Sequence, residues 1–313
     1  MVNQERKITI SKLGTSTYKE TLKNYAYGVA QDVGSKLADF IAPRVPVGVG
    51  TGMFKKFDDK NAFQIYDTSR AVGGRANRIN FLATDGTFNC SANALEIAID
   101  DQEREKAGDA DSALEEAKTR TLVISACLAR EKRVMDLMAA ASAGTTASCT
   151  IASDDPVAKI DEILEGIAIK TGMMPNRMVL GLSAWRKIKN SAKVLGRIQG
   201  VKAQGIGLGE FAGMLLNPQI DIRVAVLSKD AYKMGKTASK AEFVGDYGYI
   251  FHGNDNPTQY DPGFMKTFSI GSNSVEAVRM YREEGCRSDI LAVDWSEDVQ
   301  VVSTISLGKL TLA

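Results

Sequence analysis

The sequence predicts an α+β fold in which a long polar hairpin leads into a long helix, followed by an alternating α/β segment and a return to strands. Three observations carry this. Between Asp111 and Ser142, Leu114, Thr121, Leu128 and Met135 recur along one stripe, with Ala117, Ile124 and Met138 beside them, the spacing of a helix that buries one face. At 1.5 Å per residue it spans about 45–50 Å, long for a globular helix. Residues 47–99 read as extended runs broken by turns, and residues 153–260 alternate helix-period with strand-period segments. A flat, elongated molecule of this kind points to a structural role more than to a reaction.

Residues 1–46 form a mildly basic segment: Arg6, Lys7, Lys12, Lys19, Lys23, Lys36 and Arg44 face only Glu5, Glu20, Asp32 and Asp39. A short helix over Val33–Ile41 ends before Pro43, and Pro43 and Pro46 hold the chain extended. The segment reads either as an arm lying on a neighbour or inner surface, or as a partly disordered terminus. Next come an extended run marked by Phe54, Phe57, Phe63, Ile65 and Tyr66, a turn-rich tip from Asp67 to Arg75, and a return run Arg78–Leu82. Such a hairpin has too little core to stand alone. A strand over Phe88–Asp100 alternates Leu95, Ile97 and Ile99 against Glu96 and Ala98.

Ser112-x-x-Glu115 has the capping-box pattern for the long helix, and Gly144 with Thr145–Ser148 ends it. Asp155-Pro156 supplies a cap and first residue for a helix bearing Ile160, Ile163, Leu164 and Ile167. Arg177–Leu182 is an apolar strand, Ser183 caps a helix with Trp185 and Ile188, Gly207–Leu216 is a short helix, and Ile220–Val226 alternates as a strand. The last strands are Met265–Ile270, Asp289–Trp295 and Val299–Leu307, with Val275–Arg282 readable as helix or strand. These strands pair with the 88–99 strand beneath the long helix.

The 313 residues are 44% hydrophobic, enough for one large core or two modest ones, and 39 Lys plus Arg against 38 Asp plus Glu leave a net charge of +1. That balance argues against a dedicated nucleic-acid binder. No stretch approaches the roughly 20 apolar residues of a membrane span, and the polar start Met1–Lys7 reads as no signal peptide. Cys90, Cys127, Cys149 and Cys286 lie far apart, so no zinc ribbon or redox pair is visible and reduced thiols are expected.

Catalytic equipment is sparse. His252 is the single histidine, which excludes a three-histidine metal site and leaves no placed triad. Gly207-x-Gly209-x-x-Ala212 lacks the hydrophobic strand that a dinucleotide fingerprint requires before it. Gly181-Leu182-Ser183-Ala184-Trp185 lacks the last glycine of a nucleophile elbow. The acid pairs Asp58-Asp59, Asp100-Asp101 and Glu283-Glu284 are adjacent and read as solvated surface. No catalytic residue, cofactor site or metal site is assigned.

The order of parts resembles the tailed-bacteriophage major capsid proteins, whose fold encapsulins share. Ala42–Val47 followed by Phe54 and Phe57 looks like their arm-to-loop junction, and Ala71–Arg75 leading to Arg78-Ile79-Asn80-Phe81 like the return of the extended loop. Pro175–Trp185 is similar to the strand–helix element of the axial domain, and Tyr281–Gly285 with Asp289–Trp295 to the peripheral-domain strands. The resemblance implies an N-terminal arm (1–46), an extended two-stranded loop (47–87), a peripheral domain (88–152) with the spine helix at about 111–142, an α/β axial domain (153–260), and a return to peripheral strands (261–313).

It further implies a shell subunit that forms hexamers and pentamers around double-stranded DNA, held non-specifically, in a virion capsid assembled in the host cytoplasm. Phe54, Phe57, Phe63, Tyr66, Arg70, Arg75 and Arg78 would be the intersubunit loop residues, and Leu114, Ile124, Leu128 and Met135 the core face of the spine. Partners would be other copies of the chain, a portal and a separate scaffolding protein (few residues precede the loop), with a decoration protein as an option; crosslinking through Lys55, Lys56 or Lys60 is not expected. Two other readings stay open: an encapsulin-type compartment, usually with a shorter loop, and a small-molecule-binding α/β protein with its pocket near Gly205–Gly209.

Overall fold

The computed structural model describes residues 9–10, 17–18, 21–22, 24–26, 37–57, 67–70, 72–76, 84–108, 111–198, 206–226, 228–230, 240–271 and 277–313. The chain opens with short strands Thr9–Ile10 (β1) and Thr17–Tyr18 (β2). Ala38–Ile41 (α1) is a single turn that buries Ala38, Phe40 and Ile41 and stops before Pro43. Arg44–Val47 (β3) follows at a sheet edge, where the missing N–H of Pro46 breaks no ladder. Thr51–Lys56 (β4) and Thr84–Asn89 (β5) pair antiparallel as a separate two-stranded sheet, from Thr51 opposite Asn89 to Lys56 opposite Thr84. Ser91–Asp100 (β6) runs into Asp101–Ala107 (α2), a helix the periodicity did not reveal, capped by the Asp100 carboxylate on the Gln102 N–H. The long helix is Asp111–Ala140 (α3), about 45 Å at the standard rise.

Thr145–Cys149 (β7) is a strand where sequence suggested only a helix stop. Pro156–Thr171 (α4) starts as expected: Asp155 accepts the Val157 N–H, Pro156 occupies the first turn, and Gly172 closes it at φ 67°. Then come Arg177–Gly181 (β8), Leu182–Lys189 (α5), Ala192–Ile198 (α6), Leu208–Ala212 (α7) and Asp221–Ala225 (β9). Ser183 lies inside α5 rather than capping it; Gly181 is the cap, and no side chain fits there, since a Cβ would stand 1.8 Å from the Gly245 carbonyl oxygen. The chain closes with Ser228–Asp230 (β10), Lys240–Glu242 (β11), Tyr247–Phe251 (β12), Met265–Ile270 (β13), Ala277–Glu283 (β14), Ser288–Val301 (β15) and Leu307–Leu312 (β16). The ambiguous stretch at 275–282 is therefore strand. The separate strand expected at Val299–Leu307 is instead the end of β15 and the start of β16.

Two sheets organise the core. In the first, β15 is central: β6 lies antiparallel along it from Ser288 opposite Asp100 to Glu297 opposite Ser91, while β14 and then β13 pair with it, and β3 adds in parallel to β13. This is the pairing expected beneath the long helix. The second sheet runs β7-β16-β12-β8-β9. It takes β7 and β16 from outside the 153–260 segment. On one of its faces Ile160, Ile163, Leu164 and Ile167 of α4 pack with Met178, Leu180, Ile250 and Leu310. On the other, Met135 and Met138 of α3 and Phe40 and Ile41 of α1 pack with Val179, Tyr249, Phe251 and Leu307. Upstream, Leu122, Val123, Ala126 and Cys127 of α3 pack on Leu291, Val293 and Trp295 of β15. One helix thus spans both sheets.

The buried face of α3 is rotated from the one the apolar spacing suggested. Met135 is buried, Leu114 and Ile124 are half-buried, and Leu128 is 41% exposed. The inward face carries Thr119, Arg130 and Glu131 among its apolar residues. Because ion pairs and hydrogen bonds bury these polar groups, counting apolar residues alone turns the stripe toward Leu128. Likewise the helix starts at Asp111, so Ser112 lies in the first turn and is not the cap.

Candidate functional site

The hairpin base is the first site the fold builds. β4 and β5 bury one face only. Phe54 and Phe88 point inward, while Thr51, Met53, Thr87 and Asp85 are exposed. Each inward ring lies across a glycine on the opposite strand: Phe54 faces Gly86 and Phe88 faces Gly52. A Cβ on Gly86 would meet the Phe54 ring at 2.5 Å, and one on Gly52 the Phe88 ring at 2.6 Å. The two rings close on Phe268 of β13, with centroids 5.2 Å away for Phe54 and 4.4 Å, stacked, for Phe88. Polar bonds fasten the base to the first sheet and its C-terminal extension: the Asn89 N–H donates to Asp298 Oδ2 (2.8 Å), the Phe57 N–H to the Val302 carbonyl (3.3 Å) and the Cys90 thiol to the Phe268 carbonyl (3.5 Å).

The second site is a charged junction where arm, long helix and β15 meet. The Glu297 carboxylate, 1% exposed, has Arg133 Nη1 at 3.1 Å, Arg130 Nε at 3.3 Å and Arg44 Nη2 at 3.8 Å, and accepts the Trp295 indole N–H at 3.3 Å. Asp39 bridges Arg130 (2.7 Å) and Arg44 (3.3 Å). Glu131 accepts the Ala38 N–H at 3.0 Å, holding the start of α1 on the long helix. Burial pushes the Glu131 carboxyl above its ordinary value against the pull of that N–H and of Arg130. Burial and the adjacent Arg130 lower the Arg44 guanidinium. Arg177 completes the arm's seat: its guanidinium donates to the Phe40 carbonyl at 2.6 Å and lies 5.1 Å from the Phe40 ring centroid. The arm from 37 to 47 is therefore integral to the core.

The predicted loop residues separate. Phe54 is a buried anchor within its own subunit rather than a contact for a neighbour, and Phe57 packs half-buried beside it. Arg70 and Arg75 are exposed. Phe63, Tyr66 and Arg78 lie outside the described residues. Sequence reasoning missed Phe268, Glu297 and Arg130; the Phe–Gly register across β4 and β5 was the one signal that could have exposed the aromatic anchor.

Between the hairpin base, α3 and β15 lies a groove of about 570 Å³ lined by Lys56, Asn93, Arg133, Leu137, Glu297 and Gln300. Its polar groups answer one another: Arg133 binds Glu297 and Asn93, and Gln300 donates to Asp298. His252 Nδ1 lies 3.2 Å from the Met174 carbonyl at the end of β12. The Gly207 N–H is taken by Glu210 Oε2 at 3.2 Å, while Ile206 and Phe211 fill the core, so the described part of that glycine-rich stretch is a packed helix start. Among the described residues, no group of three or more His, Cys, Asp or Glu is placed to hold a metal ion, and no helix is long and apolar enough to cross a membrane.

No protein-family model matches the chain. In sequence it is 29% identical over 267 residues to the major capsid protein of Burkholderia phage BcepMu, covering 79% of this chain and 84% of that one. In structure, a phage-related protein from Bordetella bronchiseptica matches at TM-score 0.72 and 20% identity, over 94% of this chain and 97% of that one. The capsid of cyanophage P-SCSP1u matches at 0.55 and 11%, over 87% and 86%. An encapsulin from Synechococcus elongatus matches at 0.52 and 12%, over 88% and 86%. The chain therefore has the fold of the tailed-phage major capsid proteins, shared with encapsulins, and is a structural protein related to them.

Proposed function

We propose that this chain is a major capsid subunit that self-assembles into hexamers and pentamers of an icosahedral shell enclosing double-stranded DNA. One observation carries the reading: a two-stranded hairpin stands outside both sheets, anchored at its base by Phe54, Phe88 and Phe268 and bare on its other face, where Met53 is 65% exposed. A two-stranded ribbon is marginal alone and an unpaired edge invites association, so a second copy is its natural support. Arg70 and Arg75 beyond the base offer that copy exposed positive charge. The near-neutral net charge of +1 suits a container that must release its genome, since a strongly basic lining would hold DNA by counterion release. A portal and a separate scaffolding protein are the expected partners, a decoration protein an option, the host cytoplasm the place of assembly and the virion capsid the destination.

Lys56 and Thr84 are directly opposite across the ladder, so replacing residues 57–83 by a two-residue Asn-Gly turn keeps β4 and β5 intact. The variant should stay folded and form no shells, whereas the full chain, viewed by negative-stain electron microscopy with light scattering, should form rings or shells. Normal shells from the shortened protein would remove the hairpin from the interface. The encapsulin reading, supported by the shared fold, predicts particles that contain one cargo protein; DNA or scaffold inside would exclude it.

A further inference from the structure

The second sheet carries two exposed helix stripes that match each other in charge and spacing. On α4 the outward positions are Ala158, Glu162, Glu165 and Ile169; on α5 they are Leu182, Arg186 and Lys189. Both follow the i, i+4, i+7 recurrence of a single helix face. Ile169 is 76% exposed and Leu182 43%, large apolar side chains left bare beside the charges. Laid antiparallel, the stripes coincide: Glu162 meets Lys189, Glu165 meets Arg186 and Ile169 meets Leu182, because both advance by three and then four residues, about 4.5 and 6 Å. Within the subunit they do not meet. α4 packs on β7 and β16 at one end of the sheet, and α5 on β8 and β9 at the other. Glu162 has an exposed partner in Lys159 at 2.9 Å, whereas Glu165 and Lys189 form no ion pair among the described residues. The stretch 182–198, spanning α5 and α6, contains Arg186, Lys187, Lys189, Lys193 and Arg197 and no acidic residue; Lys187 pairs with Asp246 and Arg197 with Asp155 inside the subunit, while Arg186 and Lys189 point outward.

We infer that α4 of one subunit docks antiparallel on α5 of the next, an acidic-to-basic contact closed at one end by Ile169 and Leu182. The inference rests on the capsid reading above and names its pairing. The occupant is a second copy because this chain supplies both complementary faces, at opposite ends of one sheet. That is the arrangement of a heterologous, head-to-tail interface that closes into rings. Opposed like charges across such a contact disfavour association strongly, and the attraction between exposed charges weakens with salt.

The test is charge reversal in the full chain, read as ring and shell formation by light scattering and electron microscopy, with thermal unfolding to confirm that each variant is folded. Glu162→Lys with Glu165→Lys should raise the concentration needed for assembly at least about tenfold, as should Arg186→Glu with Lys189→Glu. All four substitutions in one chain should restore assembly. An equimolar mixture of the two half-reversed proteins should form hexamers but not pentamers, because an alternating head-to-tail ring needs an even number of subunits. Half-reversed proteins that assemble like the original, or a folded fourfold variant that stays dispersed, would overturn the contact; pentamers from the mixture would overturn its head-to-tail sense. An original protein that forms neither rings nor shells would instead overturn the capsid reading, and the contact with it.

Discussion

Replacing Glu297 with Gln tests whether the charged junction holds the subunit together. The substitution keeps shape and removes one negative charge from a carboxylate that is 1% exposed, beside guanidinium groups at 3.1, 3.3 and 3.8 Å. At an effective dielectric of about 20, a unit pair near 3.3 Å attracts by roughly 5 kcal/mol before the cost of desolvation. Arg130, 3% exposed, and Arg44, 12% exposed, cannot recover that attraction from water. Breaking a buried pair by removing one partner costs about 3–5 kcal/mol. Asp39, still bridging Arg130 and Arg44, places the expectation near the lower end, about 3 kcal/mol. For a chain of this size that lowers the melting temperature by roughly 4–6 °C, measurable by circular dichroism on the unassembled subunit. Arg133→Ala, at a side chain 34% exposed, should cost under about 1 kcal/mol because water reaches that edge of the cluster. A Glu297→Gln loss as small as that would refute the argument, since the junction would then be behaving as surface charge.

Leu128→Asp should leave the dispersed subunit within about 1 kcal/mol of the original by urea unfolding; an unfolded variant would restore the face that apolar spacing alone suggested. Gly181→Ala places a Cβ 1.8 Å from the Gly245 carbonyl oxygen and should cost more than about 3 kcal/mol, a soluble variant of unchanged melting temperature being the contrary result. Phe268→Ala removes the ring on which Phe54 and Phe88 close and should cost about 3–5 kcal/mol, with protease cuts appearing first around residues 54–57. Burial alone would raise the Asp261 carboxyl, but hydrogen bonds from Lys266 and Thr258 and the Lys266 charge outweigh it and hold it below its ordinary 3.8. Its stabilisation is therefore complete above that value and lost as pH falls through the lower folded one, so Asp261→Asn should flatten the acid limb of a urea-midpoint titration below about pH 4; an unchanged limb would place the acid sensitivity elsewhere.

The elements legible from sequence were those whose signal is local. Asp155-Pro156 marked the start of α4 because cap and proline act within one turn. Leu95, Ile97 and Ile99 marked the inward face of β6 because a strand on a one-sided core alternates strictly. Failures came where distant groups decide. β7 is too polar to read as a strand, and only β16, the last strand of the chain, makes it one. Gly181, not Ser183, begins α5 because the backbone of Gly245 crosses there. No window of sequence contains both partners.

The same logic separates the parts of the candidate site. The turn residues at 67–75 signalled a hairpin, whose described base is Thr51–Lys56 against Thr84–Asn89, but they did not show which of its aromatics face inward. Phe54 is an anchor because the register sets it against Gly86 and the fold brings Phe268 beneath it, from residues more than two hundred positions downstream. The junction was harder still to see, since charged residues in a helical pattern are ordinarily read as its wet side. Here Arg130 and Glu131 face inward because Glu297, Asp39 and the Ala38 N–H await them. An apolar junction would hold arm, helix and β15 together without specifying their mutual angle. Guanidinium and carboxylate groups accept only narrow approach geometries. The direction in which the hairpin base leaves the subunit is therefore coupled, through Asp298 and Glu297 of β15, to the seating of the arm.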